Sequence, residues 1–184
     1  MPQEEEKKPA IQDPQIQEKL LKTRSILLSG EINKDSAESV IKQMLILEDE
    51  SDKPIKVFIN SPGGDVDAGY AIFDMARFIQ AEVTMIGMGL VASAAALVLL
   101  AVPKERRLAL PNSTYLIHQP MSGMRGVATD IEIHAQHLEK LRQKLDSLIA
   151  AETGKSLEEV RQNTERDQDR KSTRLNSSHT VISY

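Results

Sequence analysis

The chain has 184 residues, 40% of them hydrophobic and 27% charged, which suits one soluble globular domain with a core of its own. A net charge of −4, with no basic patch interleaved with aromatics, argues against nucleic acid as a partner. The chain has no cysteine, which removes disulfides, thiolate metal sites and a thiol nucleophile and suits a reducing cytosol.

Residues 1–15 are dominated by charge and proline, so they read as a flexible N-terminal arm that lacks the apolar centre of a signal peptide. A short helix starts near Ile16 and reaches Leu21. Residues 25–29 (SILLS) form an apolar strand ended by Gly30. Asp35 or Ser36 then caps a helix whose Val40, Met44, Leu45 and Leu47 fall near helical spacing. Residues 55–59 alternate as a strand, and Asn60-Ser61-Pro62-Gly63-Gly64 is a sharp turn signal. The next helix gathers Ala68, Ile72, Met75, Ala76 and Ile79 on one face. Residues 83–86 are a strand, Gly87-Met88-Gly89 a turn, and residues 91–102 an almost wholly apolar helix, too short to span a bilayer.

Residues 104–107 are a charged connector, and residues 108–110 and 114–117 are short strands around Pro111-Asn112-Ser113. His118-Gln119-Pro120 and a glycine-containing loop over 121–127 follow. Thr129 caps a long helix to about Glu152, with Asp130 and Glu132 near its positive end and an apolar stripe of Leu138, Leu141, Leu145 and Leu148. Gly154 stops that helix, and Ser156-Leu157-Glu158-Glu159 opens another with a capping-box pattern. Residues 171–184 (KSTRLNSSHTVISY) have no clear period and read as a loose tail, with a short strand over 180–184 as the lesser option. Strands alternate with helices throughout, so the class is α/β, with no repeat and no internal domain boundary.

Ser93 lies one turn into the apolar helix, among Ala92, Ala94, Ala95 and Ala96. A strand-to-helix corner presents a side chain where free N–H groups favour negative charge, and acyl transfer needs that for its oxyanion. The plainer reading is a core serine bonded to a helix carbonyl, and the local residues, which form no G-x-S-x-G elbow, favour it. His118 ends an apolar strand and enters a loop, as functional residues often do; a half-buried histidine bonded to backbone fits equally. Gly63-Gly64 suits an oxyanion hole or a plain turn, and no Gly-Lys-Ser/Thr follows to make a phosphate loop. His134 and His137 sit among charges on a helix and lack the further ligands a metal needs. The acids of residues 164–170 form a cluster from which the residues alone do not select Asp167.

Taken together, LLSGEI (27–32), INSPGGDVDAGYAIFDMARFI (59–79), GLVASAAALVLLA (89–101), LPNSTYLIHQP (110–120), GVATDIEIHA (126–135) and TERD (164–167) closely resemble the ClpP family of serine peptidases. The segments keep the family's chain order across roughly residues 20–170. The resemblance implies a crotonase-like fold of repeated ββα units with a long projecting helix. It places the triad on Ser93, His118 and Asp167 and the oxyanion hole on the N–H groups of Gly64 and Ala94. It implies an extended substrate lying along Gly64, Asp65 and Val66 on one side and Met121, Ser122 and Gly123 on the other. It implies no metal or organic cofactor, a cytoplasmic location and no membrane or nucleic-acid partner. It also implies stacked heptameric rings with Glu165 and Arg166 pairing between rings, and a docked AAA+ unfoldase that feeds in unfolded polypeptides.

Three departures stand out. Ala95 replaces a common glycine, and Ser122 replaces a glycine of the loop after His118. The match stops near Arg170: residues 171–184 resemble nothing in the family and read like translated adapter or vector sequence joined to a truncated gene. The expected domain is therefore 16–170, cut short at its C-terminal end. Two other functions fit less well. One is a catalytically silent ring subunit, which the retained triad residue types argue against. The other is a crotonase-type acyl-CoA enzyme, which uses carboxylates for proton transfer rather than a Ser/His pair.

Overall fold

The computed structural model describes residues 14–117 and 125–165. Its sheet contains β1 (Ser25–Ser29), β2 (Ile55–Ser61), β3 (Val83–Ala92), β4 (Arg107–Ala109) and β5 (Thr114–Leu116). The strand order is β1-β2-β3-β4, with β5 also paired to β3, and every pairing is parallel. Parallel strands need long crossovers. The sequence supplies helices between the first three strands, α2 (Lys34–Glu50) and α3 (Val66–Phe78), and places α4 (Ala94–Leu99) after β3. Before the sheet comes α1 (Pro14–Lys22), so Pro14 and Gln15 are helical rather than the end of an arm. After it come α5 (Ala128–Thr153) and α6 (Leu157–Glu165).

The core is aliphatic. Ile26, Leu28, Met44, Leu47, Ile55, Ile59, Ile72, Met85 and Leu97 are essentially sealed from water, each such side chain contributing about 1.5–3 kcal/mol on burial. Tyr70 and Phe73 meet edge to face within it.

Four expectations are corrected. The cap of α2 is Asn33, not Asp35 or Ser36: its side-chain oxygen accepts from the Ser36 N–H at 2.9 Å, while the Ser36 hydroxyl accepts from the Asn33 N–H at 2.9 Å. The glycines at 87–89 do not end a strand. Instead β3 runs through them with a bulge: Ile59 pairs with Gly87 but Ser61 with Val91, so β3 uses two more residues than β2 over the same rise. Asn60 holds the bulge, its side-chain oxygen accepting from the Leu90 N–H at 3.1 Å beside Gly89, whose φ is +58°. As a result the helix after β3 starts at Ala94 and ends at Leu99. Finally, α5 begins behind Val127 with no side-chain cap, and Thr129 lies within its first turn.

Residues 104–107 are more than a charged connector. Lys104–Arg106 is a single 3-10 turn, and Arg107 opens β4 with only 4% of its surface exposed. Its guanidinium donates to Val102 O (2.6 Å), Leu100 O (3.2 Å) and Glu152 O (3.0 Å) and pairs with the Glu152 carboxylate. Arg77 of α3 donates to the same carboxylate at 2.5 Å and to Ala101 O at 2.9 Å. Burial pushes the Glu152 carboxyl up, but the hydrogen bonds and charges of Arg77 and Arg107 outweigh it and hold the group below its ordinary value. This latch fixes the C-terminal end of α5 to the body.

Of the expected stripe on α5, Leu145 is buried and Leu138, Leu141 and Leu148 are half-buried, joined by buried Ile149 and Asp146. Gly154 does end the helix, at φ +71°, and Ser156 Oγ accepts from the Glu159 N–H at 3.1 Å to start α6. The tail at 171–184 lies outside the described residues.

Candidate active site

Ser93 is not inside a helix. It is the N-cap of α4, the hinge residue between β3 and α4, with φ +54° and ψ −123°. A residue with a Cβ resists that conformation at a cost of about 1–3 kcal/mol, so the surroundings must impose it. Main-chain bonds do so. The Ser93 N–H donates to Leu116 O at 2.8 Å, continuing the β3–β5 ladder, and its carbonyl accepts from the Ala96 and Leu97 N–H groups at 3.0 and 3.3 Å. Ala92, Ala94, Ala95 and Ala96 around it are buried, while Ser93 is half-buried. Its hydroxyl makes no capping bond to α4. Small neighbours and a forced kink thus leave one polar side chain standing out of a sealed corner.

The β2–α3 turn is packed against this corner. Gly63 has φ +92°, and a Cβ there would stand 2.6 Å from both Ala92 O and the Ser93 Cβ and 3.0 Å from Ala94 N. Space and φ both require glycine. Gly64, at φ +145°, is braced from the other side. Ile32 N–H donates to Gly63 O, and the Asp65 N–H donates to Ile32 O, each at 2.8 Å. A Cβ on Gly64 would fall 2.2 Å from Ile32 O. The N–H groups of Gly64 and Ala94 donate to no backbone acceptor among the described residues. Among the described residues, these two amides near the Ser93 corner are thus without a main-chain acceptor. The brace by Ile32 was invisible in the residue pattern, because it joins segments about thirty residues apart through main-chain atoms alone.

Asp65 caps α3, its carboxylate accepting from the Ala68 N–H at 2.7 Å, and Val66 is half-buried beside it. The strand expected to deliver His118 is present: β5 pairs Thr114, Tyr115 and Leu116 with Leu90, Val91 and Ala92. His118, Met121, Ser122, Gly123, Arg166 and Asp167 lie outside the described residues, and Glu165 is the last residue of α6. The approach to Asp167 is well docked. Thr164 is buried on α6 and its hydroxyl lies 3.3 Å from the buried Asp146 carboxylate, with Arg142 Nε 3.9 Å from that group. Among the described residues no cluster of His, Asp and Glu is arranged to hold a metal, and no helix is long and apolar enough to cross a membrane.

Comparison with known proteins agrees with this architecture. A sequence-family model described as Clp protease matches residues 7–173. The chain is 64% identical over 151 residues to the ATP-dependent Clp protease proteolytic subunit 2 of Treponema pallidum, covering 82% of this chain and 76% of that protein. It is 57% identical over 165 residues to the subunit of the same name from Treponema denticola, covering 89% and 82%. Among solved structures, a ClpP1 mutant from Listeria monocytogenes superposes with a TM-score of 0.75 at 45% identity, covering 81% of this chain and 83% of that one.

Proposed function

The chain belongs to the Clp protease family, and from that premise we propose that it is a serine endopeptidase subunit with Ser93 as nucleophile, His118 as general base and Asp167 as the acid that orients the imidazole. The observation that carries the reading is the forced backbone at Ser93, set at a helix N-terminus with glycine packed against it and the Gly64 and Ala94 amides without a main-chain acceptor among the described residues.

The chemistry follows from those roles. His118 removes the hydroxyl proton as Ser93 Oγ attacks the peptide carbonyl carbon. The carbonyl oxygen becomes an oxyanion that accepts hydrogen bonds from the Gly64 and Ala94 N–H groups. Asp167 holds the tautomer and stabilises the imidazolium. The proton then passes to the leaving amine, and water, activated by His118, cleaves the ester. Gly64, Asp65 and Val66 line one edge of the substrate path and Met121, Ser122 and Gly123 the other, so that an extended chain pairs as a strand.

The same reading makes the protein a ring component. The start of α5 exposes Val127 (67%), Ile131 (46%) and Ile133 (62%), apolar surface that a second copy in a facing heptamer would cover. Glu165 and Arg166 pair across that junction, next to Asp167. An AAA+ unfoldase delivers unfolded polypeptide from outside, in the cytoplasm.

Labelling with a fluorophosphonate, with cleavage of a short fluorogenic peptide in parallel, tests the assignment. Ser93→Ala and His118→Ala are each expected to lower turnover on the order of 10³-fold or more. Unchanged turnover in either variant rejects it, and an intact oligomer that never labels identifies a silent subunit instead.

A further inference from the structure

Gly87 lies in the middle of β3, paired to Ile59 on one side and Ala109 on the other. Glycine weakens a strand interior, and unlike Gly63, Gly64 and Gly89 it has no positive φ to require it. The reason is space. A Cβ at Gly87 would stand 2.3 Å from the hydroxyl oxygen of Tyr115 and 2.8 Å from its Cε1. The Tyr115 ring therefore fills the volume that any other residue at position 87 would occupy. Tyr115 is 8% exposed, and its hydroxyl takes a hydrogen bond from Ser113 Oγ at 2.9 Å. The carbonyl of Gly87 accepts from the Leu110 N–H at 2.9 Å, and Leu110 O in turn accepts from the Ser113 N–H at 3.0 Å. The whole β4–β5 connection is thus fastened over one glycine.

What this socket fixes is register. β5 is three residues long, too short to define its own alignment on β3. A slip of one residue would send every side chain to the opposite face. Tyr115 sits opposite Val91, Leu116 opposite Ala92, and Leu116 O binds the Ser93 N–H. His118 follows two residues later. We infer that the Gly87–Tyr115 socket is a positioning device for the proposed reaction: by pinning β5 it sets the Ser93 backbone through the bond to Leu116 O. Tyr115 acts through that backbone, as a positioning residue. The inference rests on the reading of Ser93 and His118 given above.

Steady-state cleavage of a fluorogenic peptide, fluorophosphonate labelling and amide hydrogen exchange on the full chain test it. Gly87→Ala is expected to lower kcat by about 10²-fold, the scale of an ångström-level misplacement, with KM nearly unchanged. Tyr115→Ala, which empties the socket without a clash, is expected to lower kcat less while speeding exchange of the Ser93 amide. The paired change Gly87→Ala with Tyr115→Val, which moves volume from one side to the other, is expected to restore kcat to within a few-fold of wild type. A double variant no better than Gly87→Ala alone overturns the inference. So does a folded Tyr115→Ala protein with wild-type kcat and wild-type exchange at Ser93. If the unmodified protein neither cleaves nor labels, the peptidase reading fails, and amide exchange at Ser93 still decides the socket: exchange unmoved by Tyr115→Ala refutes it.

Discussion

Around Ser93 the molecule is shaped by main chain, and along α5 and α6 it is held by charged side chains. In the first region the ties are amide to carbonyl, Ser93 to Leu116 and Ile32 to Gly63, and the residues at the contacts are glycine and alanine. In the second the ties are Arg77 and Arg107 on Glu152, and Arg142 and Thr164 on Asp146. The difference predicts two kinds of fragility. Main-chain packing has no room for an added atom and nothing to titrate in mild acid. Ion pairs tolerate small changes of shape but respond to pH and to loss of a partner.

The severest break expected is Gly63→Ala. One methyl group would meet Ala92 O and the Ser93 Cβ at 2.6 Å, and peptide turnover should fall by about 10²-fold or more as the corner shifts. Wild-type kcat in that variant would dissolve the contrast between the regions. Next comes Glu152→Ala, which strands an Arg107 that is 4% exposed. Urea unfolding at fixed protein concentration should show a loss of about 3 kcal/mol.

Acid should act in the same place. The folded-state carboxyl of Glu152 lies below its ordinary value of 4.5, so its contribution is complete above the unfolded-state value and fades as pH falls through the folded one. Stability of the wild type below about pH 4.5 should therefore fall more steeply than that of Glu152→Gln. A parallel pair of curves would remove the latch from the account. The mildest change sharpens the first. Gly154→Ala meets no atom within 4 Å yet sits at φ +71°, so it should cost only about 1 kcal/mol. Positive φ alone is a small matter; positive φ with a neighbour in the way is not.

Much of the fold could be read in advance because it is local. β1 stands where an apolar run closed by Gly30 placed it, β2 starts where alternation placed it, and Gly154 ends α5 as its conformation demands. Apart from the caps of α2 and α5, the errors came where a distant partner overrides a local cue. Gly87-Met88-Gly89 has turn composition, but β2 on one side and β4 and β5 on the other draw it into a bulged strand. That error moved Ser93 from the hinge into a helix and made a bonded core serine look the better reading. Arg107 read as part of a charged connector with Lys104, Glu105 and Arg106, yet its partner Glu152 lies 45 residues away. Choosing Ser93 and His118 over other serines and histidines depended on the family resemblance, not on periodicity.

The bond from the Ser93 amide to Leu116 has an implication for synthesis. β1, β2 and the first half of β3 can pair in the order in which they leave the ribosome, since each meets a neighbour already made. The hinge cannot set at that moment, because its acceptor is encoded 23 positions downstream. A nascent fragment ending before Leu116 therefore carries the Ser93 hydroxyl in an unlocked hinge, which delays the setting of the proposed nucleophile until most of the sheet exists.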